Sequence, residues 1–110
     1  MASLIERIHA AREQWVDAGG TQWLIRRPTL HRYLELHKTP TALLRKAVVG
    51  WKLREMDLVP GGGDQVPAFD PDAALEHLQD RPEAYSALLD AVTAAVGAFL
   101  QRKEAEQGKS

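Results

Sequence analysis

Cysteine is absent from this 110-residue sequence, so metal or acid–base chemistry would have to come from four histidines, the carboxylates and the hydroxyls. His31 and His37 are six apart, which sets them on opposite sides of one helix rather than at the i, i+4 spacing of a metal pair. His9 and His77 have no histidine or carboxylate pair at ligand spacing. Asp70 and Asp72 flank Pro71 at a helix start, where capping accounts for them. Asp57 and Asp64 border Gly61, Gly62 and Gly63 in a pattern that matches no EF-hand. The glycines lack the Gly-Lys-Ser/Thr and the immediate helix of a phosphate loop. Ser3, Ser86 and Ser110 lack the strained glycine turn of a hydrolase nucleophile. These residues predict no enzyme, no metal site and no cofactor, and direct attention to binding surfaces.

Charge is the first surface signal. Residues 1–54 hold ten Lys/Arg against four acids, a net of +6, whereas residues 55–110 hold four bases against eleven acids, a net of −7. The split suits a basic face for an acidic partner, self-association head to tail, or two halves docking on each other. Two helices over Leu30–His37 and Thr41–Leu53 could imitate a helix-turn-helix, with Arg32, Arg45 and Lys46 at phosphates. The second of them exposes few side chains of the kind that read base edges, and the pI near 6.4 speaks against a dedicated nucleic-acid binder. Tryptophan is the second signal: Trp51 ends an apolar stripe, and Trp15 and Trp23 fall on opposite faces of a hairpin, so at least one of them is available to an interface, with the core favoured for Trp23.

The elements that position these residues are mostly helical. Ser3 and Glu6 form a capping-box pattern before a short helix to about Arg12 carrying Leu4, Ile5, Ile8 and Ala11. Residues 13–18 could extend that helix. Gly19-Gly20 instead favours a hairpin of Glu13–Ala18 and Thr21–Arg27, pairing Ala18 with Thr21, Val16 with Trp23 and Gln14 with Ile25. A second helix begins at Pro28-Thr29 with Leu30, Tyr33, Leu34 and His37 on its stripe. A third, capped by Thr39-Pro40, carries Leu43, Leu44, Ala47, Val48 and Trp51 and ends near Arg54. Residues 55–70 read as irregular, with Leu58, Val59, Val66 and Phe69 pinning the ends of the loop. Asp70-Pro71 opens a helix with Ala74, Leu75 and Leu78 inward, and a last helix runs from Pro82 to about Glu106, before a polar tail over 103–110 that frays. The expectation is one domain over residues 1–110, mainly α, with four to five helices and a short N-terminal β-hairpin.

Glu6, Arg7 and Arg12 interrupt what a signal peptide would need as an apolar run, and the longest apolar stretch, Ala87–Leu100, falls short of the roughly 20 residues that span a bilayer. A cytoplasmic protein with no membrane partner is expected.

The order of several short motifs is similar to that of tailed-phage and prophage tail-module proteins. Val16 to Thr29 carries a hairpin ending in Arg26-Arg27-Pro28-Thr29, followed by Thr39-Pro40-Thr41-Ala42-Leu43-Leu44, Ala47 to Trp51 and Asp57 to Gly63. Val66-Pro67-Ala68-Phe69-Asp70 and Asp80-Arg81-Pro82-Glu83 precede the long last helix. Across about residues 13–102 this resembles a phage tail assembly chaperone. Ala68 inside the Val-Pro-Phe-Asp pattern and Ala84-Tyr85 after Arg-Pro-Glu depart from it. The resemblance implies non-enzymatic work in the bacterial cytoplasm, binding a long helical tape-measure protein or another tail protein and keeping it soluble. Some relatives gain a second domain by a ribosomal frameshift, with which Gly108-Lys109 is compatible. The surface residues expected to meet the partner are Trp15, Trp23, Leu24, Arg26, Arg27, Phe99 and Leu100. The alternatives are a small DNA-binding regulator and a structural head–tail connector or tail subunit.

Overall fold

Local signals start most of the helices. In the computed structural model, which describes residues Ala2–Gly108, the Ser3 hydroxyl accepts the Glu6 N–H at 3.2 Å and opens α1 (Leu4–Ala11). Thr29 does the same for α2 (Leu30–Leu36) by accepting from Arg32 N–H at 3.1 Å. Asp70 accepts the N–H groups of Asp72 and Ala73 and opens α5 (Pro71–Gln79). Pro40 and Pro82 stand at the first positions of α3 (Pro40–Ala47) and α6 (Pro82–Gly108), where a missing N–H costs nothing.

Between α1 and α2 the chain forms β1 (Glu13–Ala18) and β2 (Thr21–Arg26) in the expected register, with Ala18 opposite Thr21, Val16 opposite Trp23 and Gln14 opposite Ile25. Gly19 and Gly20 turn the chain at φ +61° and +80°, the double left-handed geometry whose twist suits a two-residue hairpin. A third strand corrects the expected fold class. Val48–Trp51, read as the end of a helix, is β3 and pairs antiparallel with β2, so the sheet has the order β1-β2-β3. With six helices and three strands among the described residues, the domain is α+β rather than mainly α with a hairpin. The reason is a β-bulge. Ile25 pairs with Val48 and Leu24 with Gly50, so Val49 is extra, and Val48 and Trp51, three apart, land on one face. A spacing of three is also the mark of a helix, so the bulge copies the helical stripe while two β-branched residues and a glycine disfavour the helix itself.

The inner face of the sheet, with Val16, Trp23, Ile25, Val48 and Trp51, packs on α3, α5 and α6. Leu43, Leu44, Leu78, Leu88 and Val92 complete the buried core. Helix α6 runs the length of the hairpin. Ala84 lies under the turn, where a Cβ on Gly19 would come within 2.9 Å of the Ala84 Cβ, and Phe99 lies under Arg27 at the open end. The 15 helical steps from Ala84 to Phe99 span roughly 22 Å, close to the roughly 20 Å of a six-residue strand.

Other expectations are corrected in detail. Residues 55–70 contain one helical turn, α4 (Glu55–Leu58). Only Leu58 and Phe69 of the four anchors meet the core; Val59 and Val66 are exposed, because backbone bonds from Glu55 N–H to Gln65 and Met56 N–H to Gly63 fold the loop back on α4. On α2 the covered residues are Tyr33 and Leu36, while Leu34 and His37 face solvent. Helix α6 continues to Gly108, so residues 103–108 of the polar tail are helical; Lys109 and Ser110 lie outside the described residues.

Candidate functional site

The seven residues expected at a partner surface fall in three places. Trp23 is the correction: it is 1% exposed, its indole N–H donates to the Ala18 carbonyl at 3.2 Å, and its ring meets Trp51 edge-on at 6.3 Å. Helices α3, α5 and α6 pack on that face, so Trp23 offers nothing to a partner. Trp15 and Leu24 sit opposite each other on the outer face, with Trp15 46% exposed and the Lys52 ammonium 4.9 Å from its ring centre. Arg26, Arg27, Phe99 and Leu100 gather at the open end of the hairpin. Arg26 pairs with Glu13 at 2.8 Å, and the Arg27 guanidinium lies 4.0 Å from the centre of the Phe99 ring. Leu100, one residue on, is exposed.

Around Arg26 and Arg27 lies a cleft of about 280 Å³ whose walls come from four elements. The end of α1 supplies His9 and Arg12, and Pro28, Thr29 and Arg32 line it from the start of α2. Lys46 completes the wall from α3. Partial burial lowers the Arg27 pKa, and the neighbouring Arg12 and Arg102 charges lower it further. Arg12 was missed as a site residue, though the hairpin register contains it. With Glu13 opposite Arg26, one more pair sets Arg12 opposite Arg27, and the Arg27 N–H donates to the Arg12 carbonyl at 2.9 Å.

A larger cavity of about 530 Å³ opens beside the hairpin turn, where Lys52, Arg54, Asp57, His77 and Arg81 meet. Burial lowers the His77 pKa, and Arg81 lowers it further, against the opposing pull of Asp57 and Asp80. Asp57 accepts the Arg54 backbone N–H at 2.8 Å, the main reason its pKa is lowered, and so acts as a local cap. The Gly62 N–H bonds to the Val59 carbonyl and the Gly63 N–H to the Glu55 carboxylate, so the glycine loop turns these donors to its own chain. No group of three or more histidines and carboxylates is placed to hold a metal among the described residues.

Helix α6 also exposes apolar surface. Over Pro82–Glu106 it is long and apolar enough by length and composition to cross a membrane, more than the Ala87–Leu100 run alone suggested. Yet only 22% of its most apolar stretch is buried, and Ala94, Gly97, Ala98 and Leu100 face outward. The apolar face of α1, with Leu4, Ile5 and Ile8, is also uncovered. The chain matches no protein-family model, no curated protein and no solved structure.

Proposed function

We propose that this protein is a non-enzymatic assembly chaperone of the phage or prophage tail type, which binds a long helical tape-measure protein and keeps it soluble until the tail is built. One observation carries the reading. A helix this long and apolar would normally sit in a core, yet past Val96 most of α6 faces solvent. Exposed apolar area of this kind marks an interaction surface, and helical partners lay an apolar stripe along it. The uncovered Leu4, Ile5 and Ile8 on α1 add a second apolar face. The motif order from Val16 to the last helix supports the tail-module class.

The test is co-expression with a long helical tape-measure protein. The soluble fraction of that protein rises and the two co-purify. Leu100→Asp, at an exposed position, reduces co-purification while the variant stays folded by circular dichroism. An unchanged soluble fraction with no co-purification refutes the reading.

A further inference from the structure

The cleft at the open end of the hairpin holds more positive charge than the fold uses. Among the described residues Arg26 is paired with Glu13 and Arg32 with Glu35, whereas Arg12, Arg27 and Lys46 have no carboxylate within ion-pair distance. Bringing like charges together at a partly desolvated site is unfavourable unless an anion joins them. The hairpin register imposes the juxtaposition of Arg12 and Arg27, and α3 adds Lys46. Phe99 lies under the Arg27 guanidinium, so charge and apolar surface meet along one edge.

We propose that this cleft receives carboxylates from an acidic stretch of the helical partner, whose apolar stripe continues over Phe99 and Leu100. The inference rests on the partner-binding reading above and adds a recognition chemistry to it. Guanidinium groups bind carboxylates with paired, directional N–H bonds, and a site joined to an apolar edge selects an amphipathic acidic helix. A nucleic-acid backbone fits less well. Arg45, expected at a phosphate, is paired with Asp72, Arg32 with Glu35, and the free cations form a short cluster rather than the continuous stripe a polyanion tracks. The net −7 of residues 55–110 also repels an extended polyanion.

Three fluorescent probes test it by anisotropy at low salt: a helical peptide of about 20 residues with Leu and Ala on one face and Glu along its flank, the same peptide with Gln for every Glu, and a DNA duplex of similar length. The Glu peptide is expected to bind the wild-type protein at least about tenfold more tightly than the Gln peptide, a margin typical of a desolvated charge pair. That margin collapses in the double variant Arg12→Glu with Lys46→Glu, whose fold is checked by thermal melting. Should the variant not fold, the two peptides on the wild-type protein still decide. Equal binding of both peptides overturns the carboxylate site and leaves the partner-binding reading standing. Failure of both peptides to bind removes that reading as well, and DNA that binds more tightly than the Glu peptide overturns the choice of ligand.

Discussion

The two ends of α6 are built from similar residues and live in different surroundings. Near its start, Ala84, Leu88 and Val92 are enclosed by the hairpin turn, the sheet and the helices α3 and α5. Past Val96, the same kind of small and apolar side chain meets solvent on most sides, and Phe99 is covered on one face by Arg27. One helix thus divides in two, with the first half holding the domain together and the second exposed to solvent.

Substitution tests that division most severely at Leu88. Leu88→Ala leaves a cavity in the core and is expected to lower stability by about 2–5 kcal/mol, read as a fall in the urea midpoint. Leu100→Ala, at an exposed site, should change stability by no more than about 0.5 kcal/mol. Equal losses at the two positions would break the comparison. The hairpin turn gives a sharper version. Gly20→Ala has open space and carries only the left-handed backbone penalty of about 1–2 kcal/mol. Gly19→Ala carries that penalty and also drives its Cβ to 2.9 Å from Ala84, so its melting temperature should fall further. If the two alanines melt together, the turn does not rest on α6.

How much of this could be read beforehand depended on whether a signal was local. Ser3, Thr29 and Asp70 act within three residues, and Gly19-Gly20 sets the register of its own hairpin. β3 depends on pairing with a strand 25 residues away, and its bulge reproduces the helical spacing of Val48 and Trp51. Which face of the hairpin is inside is decided by the helices that pack on it, so the local sequence favours the core for Trp23 without settling the matter. At the site, Arg26, Arg27 and Phe99 stand out in the sequence as residue types, but their meeting depends on α6 matching the hairpin in length. Arg12 follows from the register, whereas Lys46 arrives only through the packing of α3.

A smaller effect is expected where α5 enters the core that covers the first half of α6. Asp70→Ala removes the cap that holds two N–H groups and should cost about 1 kcal/mol, seen as a modest shift of the urea midpoint. The exposed half of α6 should not register it, so peptide binding per folded molecule stays constant.

Acidification should separate the two ends more gently. His77 stands with its ring centre 6.0 Å from Trp23, and burial holds its folded pKa below the ordinary value of 6.5. The unfolded chain therefore takes up a proton more readily than the folded one, and His77 disfavours the folded state increasingly as pH falls from about 6.5 through the lowered folded value. Well above 6.5 the imidazole is neutral in both states and this contribution vanishes. Urea unfolding at pH 7.5 and 5.5 should then show a larger loss of stability in the wild-type protein than in His77→Gln, with Asp57, Asp80 and Arg81 common to both. At the far end of α6 the Arg27 guanidinium keeps its charge throughout that range, so its hold on Phe99 should not change. Equal losses in the two proteins would mean that the lowered pKa of His77 does not couple to folding, and that the core end of α6 is no more sensitive to acid than its exposed end.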